Sequence, residues 1–176
     1  PKVATEVVER NGRCKIVTGT YVLSHIENVH ELVESILAML DHDGIFISEV
    51  HYLPSLIETL QYDAIYHENL RYYSLQSLKY LFEMHALEII RAKRIPTHGG
   101  SIRVYAARKG QKAIQPSVAE LLGVENQQLT WGRFVDFRSR ASQSKLDLMA
   151  MVKEIRGKGE KIYGIGGPSR ASTLMH

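Results

Sequence analysis

Two apolar, β-branched runs with one amphipathic helix between them constrain this chain more than any other feature. The first run, CKIVTGTYVL from Cys14, reads as a buried strand. In NVHELVESILAML, residues Val29, Leu32, Val33, Ile36, Leu37 and Leu40 fall on one helical face, and Asn28 is placed to cap it. A DHDG turn and a second apolar run, GIFISEV, follow. Strand, helix and strand with short connections make a parallel pair covered by its crossover helix, so the class is α/β. Upstream, VATEVVERNG spaces Val3, Val7 and Val8 as a helix and stops at Gly12.

Downstream, LPSLIETL reads as a short helix. SLQSLKYLFEMHAL reads as a longer one, capped by Ser74, with Leu75, Leu78, Leu81 and Phe82 on its inner face. LEIIRAKRIP and SIRVYAARK read as an antiparallel hairpin closed by THGG. This pattern ends near Gly110, so residues 1–110 form one unit and residues 111–129 read as a linker. Residues 130–176 hold a long charged helix from Thr130 to Arg156, then a turn, a strand, a Gly-rich loop and a helix start. That is the opening of a second α/β domain. The chain starts at Pro1 and ends in SRASTLMH, each within a helical pattern, and so reads as a piece of a longer protein.

Length and composition bound the function. The 176 residues suit one domain and part of another, with 44% hydrophobic and 23% charged residues. A net charge of +3 with no basic run argues against nucleic acid as partner. No apolar run approaches the roughly 20 residues of a membrane span, and no signal peptide is evident. The single Cys14 excludes an internal disulfide and suits a reducing cytoplasm.

The chemistry-bearing stretch is DAIYHENLRYYS. His67-Glu68 starts a zinc-protease pattern, but Arg71 occupies its last position, so no metal is expected. No G-x-S-x-G is present, and Cys14 has no base signature beside it. What remains is acid–base chemistry. His67, Glu68 or a tyrosine phenolate can take a proton, and Tyr66 and Asn69 can donate to an oxyanion. The cluster and His25 both follow strands, at the edge where open α/β sheets keep their ligands. In YGIGGPSRAS, Gly166 and Gly167 sit between an expected strand and helix. Ser169 stands where a dinucleotide fingerprint needs glycine, so the loop reads equally as a phosphate or carboxylate cradle and as a tight turn.

Taken in order, VLSHIENVHELVESILAML, YDAIYHENLRYYS, RIPTHGGSIRVYAARKG and IYGIGGPSRASTL resemble the S-adenosylmethionine-dependent sugar C-methyltransferases, which methylate nucleotide-linked 4-keto-deoxysugars at carbon 3. The resemblance covers nearly the whole chain. It implies a Rossmann-like methyltransferase sheet, of which residues 1–110 are the C-terminal half, without the family's N-terminal zinc module and Gly-rich cofactor loop. Zinc would belong only to that module. The resemblance also implies a base-generated enolate as nucleophile. It puts His25, Tyr66 and Glu68 on active-site positions, with His67 or Tyr66 as base, Tyr66 and Asn69 as oxyanion donors, and Glu68 and His25 orienting the sugar. The family's base is a histidine where this chain has Asn69, which cannot accept a proton at neutral pH.

His98, Gly99, Gly100, Ser101 and Arg103 match the family's HGG motif, with Arg103 in place to meet a diphosphate, and Gly166 and Gly167 join them as substrate contacts. Thr20 and Tyr21 would touch the cofactor. The partner is then a nucleotide-sugar small molecule, and an exposed sheet edge would admit a homodimer. An O- or N-methyltransferase of the same fold, or a non-catalytic substrate-binding remnant, stands as the alternative.

Overall fold

The structure, a computed structural model, describes residues 2–175. Helix α1 (Lys2–Asn11) ends at Gly12, whose φ of 76° makes the left-handed stop that glycine tolerates best. Strand β1 (Cys14–Thr20) leads into a single helical turn, α2 (Val22–His25), and then to α3 (Val29–Met39). The Asn28 side chain accepts from the Glu31 amide, as its N-cap position requires. Strand β2 (Leu40–His51), α4 (Leu53–Glu58), α5 (Leu75–Glu83), β3 (Leu87–Ile95) and β4 (Ser101–Arg108) complete the sheet unit.

The four strands lie in the order β1-β2-β4-β3. β1 and β2 are parallel, and β4 runs antiparallel to both of its neighbours. The α/β class and the hairpin are therefore as the sequence implies. The core lies where α3 and α5 cover the sheet. Phe46 and Phe82 meet edge to face at 5.8 Å between ring centroids, and Leu78, Ile102 and Val104 are fully buried.

Four expectations need correction. The run from Cys14 is not a buried strand throughout. β1 has a neighbour on one side only, its burial alternates, and Ile16 stays 61% exposed, while Val22 onward is helical. The DHDG turn is absorbed into β2 as an irregularity: Cys14 pairs with Leu40 but Ile16 pairs with Ile45, and Lys15 bridges Asp41 at 2.9 Å and also Asp43.

The expected linker contains helix α6 (Pro116–Gln128), which packs on β3 and buries Val118 and Glu125. Val118, Leu121 and Leu122 lie at i, i+3 and i+4 and pack on the core, a helical stripe that the linker reading passes over. Glu125, on the same face, adds a polar tie: its carboxylate accepts the backbone amides of Leu75 and Gln76 at the start of α5. The strand expected before the Gly-rich loop does not form, because no strand among the described residues lies beside it to share a ladder. The long helix is present as α7 (Trp131–Gly157), capped by Thr130, and α8 (Arg170–Met175) follows the loop.

Candidate active site

The site lies at the carboxyl ends of the parallel strands β1 and β2. β1 ends at the exposed Thr20, and Tyr21 turns the chain with a left-handed φ of 59°. The Tyr21 amide donates to the Glu49 carbonyl at 2.7 Å, which fastens the turn to β2. The Tyr21 phenol lies 2.7 Å from the Ser101 hydroxyl. Ser101 donates its own hydrogen to the Thr97 carbonyl at 2.9 Å, so the phenol is the donor of that pair. Burial pushes the Tyr21 phenol above its ordinary value.

The HGG motif forms the turn between β3 and β4. Gly99 and Gly100 have φ of 79° and 120°. A Cβ on Gly100 would lie 2.5 Å from the Ser55 Cβ, and one on Gly99 would lie 2.7 Å from the Gln61 amide nitrogen. The glycines thus admit α4 and the segment after it to close approach. Gln61 then donates to the Gly99 carbonyl at 2.8 Å. His98 is exposed, with its ring edge-on to Tyr21 at 4.8 Å. Arg103 points its fork at the nearly buried Glu49, with Nε at 3.0 Å and Nη2 at 2.8 Å from Oε2, so its guanidinium is engaged within the sheet.

The Tyr66–Asn69 loop is stitched to α2. Leu70 donates its amide to the Ser24 carbonyl at 2.9 Å, and Arg71 donates to the carbonyls of Ile26 and Glu27. Nδ1 of His25 lies 2.7 Å from the Glu68 carbonyl. A carbonyl only accepts, so Nδ1 carries the hydrogen of this bond. His25, His67, Glu68 and Leu70 line an open cleft of about 380 Å³. Asn69 turns the other way: its side chain is buried, its Nδ2 donates to the Ala64 carbonyl at 2.9 Å, and its Oδ1 has no partner. Tyr66 is half-buried, with its ring against His67.

The C-terminal segment reaches the same loop. The Ser169 hydroxyl donates to Glu68 at 3.0 Å, Arg170 pairs with Asp63 at 2.9 Å, and Thr173 donates to the Ile65 carbonyl at 2.7 Å. Gly166 and Gly167 are exposed, and a Cβ on either would meet nothing within 4 Å.

The fold therefore gathers Tyr21, His25, Glu68, His98 and Ser101 at one end of the sheet. It turns the Asn69 amide inward, holds Arg103 on Glu49 and leaves Gly166 and Gly167 in solvent. Sequence reasoning missed Glu49, His51 and Arg170. The first two were findable, because they close the apolar run GIFISEVH at the same carboxyl edge as His25. His51 is half-buried, 5.0 Å from the Tyr21 ring and 5.9 Å from the His98 ring. Burial, then the nearby charges of His98, Arg170 and His25, hold its imidazole below the ordinary value. Nothing local in the sequence marks Arg170. Among the described residues, no group of three or more His, Cys, Asp or Glu is arranged to hold a metal ion. No helix among them is long and apolar enough to cross a membrane.

Comparison with known proteins shows the family. A profile described as "Methyltransferase domain" matches residues 2–92, more than half of the chain. The chain belongs to the methyltransferase-domain family. A second profile, "C-methyltransferase C-terminal domain", matches residues 96–176. C-methyltransferase NovU of Streptomyces niveus is 33% identical over 177 residues, covering 99% of this chain. The chain spans 42% of that relative's length. The resemblance to C-methyltransferases read from the motifs is borne out by these matches. Magnesium protoporphyrin IX methyltransferase from Synechocystis PCC 6803, solved with bound SAH, is 14% identical at a TM-score of 0.43, over 55% of this chain and 46% of that one. In this methyltransferase-domain chain the boundary between the two profiles falls beside the HGG turn, within the β3–β4 hairpin, so the second profile includes the last strand of the sheet.

Proposed function

We propose that this chain serves S-adenosylmethionine-dependent methyl transfer to a carbon atom of a nucleotide-activated ketosugar, through an enolate. The observation that carries the reading is the meeting of His25, the Tyr66–Asn69 loop and the His98 turn at the carboxyl end of β1 and β2, in a methyltransferase-domain chain. Methylating carbon needs a carbon nucleophile. A ketone beside the target carbon makes its hydrogen removable, provided a proton acceptor is in place and the enolate oxygen is steadied.

The site offers both. Tyr66 is the loop's oxyanion donor, since the Asn69 amide is spent on Ala64. His67 or Tyr66 is the loop's own proton acceptor, and with Tyr66 as donor that leaves His67. His25, fixed through Nδ1 by the Glu68 backbone, and the Glu68 carboxylate, held by Ser169, orient the sugar hydroxyls. The cofactor supplies an electrophilic methyl on a sulfonium. Thr20 and Tyr21 fit it by chemistry, with a hydroxyl for its polar end and an aromatic face for its positive charge. His98 borders the substrate, Ser101 is fully buried and holds the Tyr21 phenol rather than a ligand, and Gly166 and Gly167 are the free backbone of the C-terminal segment that would close on it.

Calorimetric titration of the protein carrying this chain tests the reading. dTDP-4-keto-6-deoxyglucose and S-adenosylhomocysteine should each bind with saturable heats, and Tyr66→Phe and His25→Gln should weaken the sugar nucleotide selectively. Binding of the homocysteine compound with no response to any nucleotide sugar would refute the substrate class.

A further inference from the structure

The loop's proton acceptors are not the best placed in this site. His67 is exposed and its ring packs only against Tyr66, while His51 sits at the centre of the cluster that the fold assembles. It is the last residue of β2, registered against Ser101 of β4. Tyr21 from the end of β1 and His98 from the β3–β4 turn flank its ring. His25 from α2 and the guanidinium of Arg170 on α8 lie close enough to act on it electrostatically. Glu49, two residues earlier on the same strand, is neutralised by Arg103. Among the described residues, no unpaired carboxylate is left beside His51 to hold it protonated.

We infer that His51 is the proton acceptor of this site, taking the hydrogen from the carbon next to the substrate ketone. This inference rests on the reading above. The carbon–hydrogen bond breaks, the proton goes to a ring nitrogen of His51, and the electron pair moves into the enolate, whose oxygen accepts from Tyr66. The enolate carbon then bonds to the sulfonium methyl, the methyl–sulfur bond breaks, and the thioether leaves with that electron pair. His51 returns its proton to solvent.

The neutral form that this step needs is the one the surroundings favour. Burial first, and then the permanent positive charge of Arg170 nearby, oppose a charge on His51. Asn69, which cannot accept a proton, then needs no replacement within its own loop.

The test uses the protein carrying this chain and a nucleoside-diphosphate 4-ketosugar. Two readouts are taken: deuterium uptake at the carbon beside the ketone in D₂O without methyl donor, and single-turnover methyl transfer with it. His51→Gln should slow both by about 100-fold or more, the range that general-base removal spans, while sugar-nucleotide affinity changes less than about threefold. His51→Phe, which keeps a ring between Tyr21 and His98, should be equally slow and controls for folding. The acid limb of the wild-type rate should lie below the ordinary histidine value. His51 variants that retain either rate, or His67→Gln or Tyr66→Phe losing exchange while His51→Phe keeps it, overturn the inference and leave the parent reading intact. A wild-type protein that neither exchanges nor transfers refutes the parent reading instead.

Discussion

Glu125→Ala is expected to destabilise the protein far more than a surface substitution, and the structure gives the size. Helix α5 begins with amides that its own backbone cannot satisfy. The Ser77 amide is taken by the Ser74 side chain, in a capping box whose return bond runs from the Ser74 amide to Ser77. The Leu75 and Gln76 amides are both taken by Glu125, 49 and 50 residues away on α6. Glu125 is 1% exposed, so water does not replace it. Removing the carboxylate strands two donors, at about 1–3 kcal/mol each. It also removes a negative charge from a helix N-terminus, about 0.3–1 kcal/mol more.

Gln76 is only part-buried, which puts its donor at the low end. The expected total is roughly 3–4 kcal/mol for Ala. Gln keeps one acceptor but turns an amide toward a donor, for roughly 2 kcal/mol. Urea unfolding followed by circular dichroism measures both. A cost below about 1 kcal/mol for Ala would show that α6 does not clamp α5, and the packed helix would revert to a linker.

Three further outcomes are expected. Gly100→Ala should cost roughly 2–4 kcal/mol in urea unfolding, since a Cβ there meets Ser55 at 2.5 Å and the φ of 120° is strained for any L-residue; a Ser55→Gly background should recover part of it. Tyr21→Phe should cost about 1 kcal/mol by losing the bond to Ser101, with the unfolding midpoint as readout and no effect as the contrary result. His51 has a folded value below its unfolded one, so the unfolded chain binds the extra proton. Its contribution is therefore lost as pH falls below about 6.5, and the wild-type-minus-His51→Phe difference in Tm between pH 7.5 and pH 5.5 should show that loss.

Much of this was legible in the sequence, for reasons that can be named. The parallel pair β1–β2 and the β3–β4 hairpin follow from apolar runs and turn residues, and Asn28 and Ser74 cap the helices they precede. The THGG turn lies where the sequence puts it, although its glycines meet Ser55 and Gln61 rather than a substrate. Other features depend on contacts that no local pattern records. Helix α6 is tied to α5 by a buried carboxylate reaching across the chain, and the strand expected near Tyr163 has no neighbour to pair with among the described residues. The Asn69 amide faces inward because the Ala64 carbonyl is there to receive it. Side-chain identity showed that Arg103 and Asn69 could bind a ligand, but only the fold shows what they bind instead.

The central claim is that the methyl group ends on carbon. The direct measurement is to supply the protein carrying this chain with S-adenosylmethionine labelled with ¹³C at its methyl, together with a nucleoside-diphosphate 4-keto-deoxysugar, and to locate the label by carbon–proton correlation. The account predicts a labelled methyl coupled to a ring carbon adjacent to the ketone. A label on oxygen or nitrogen would contradict it and assign these residues to a hydroxyl- or amine-directed methyltransferase.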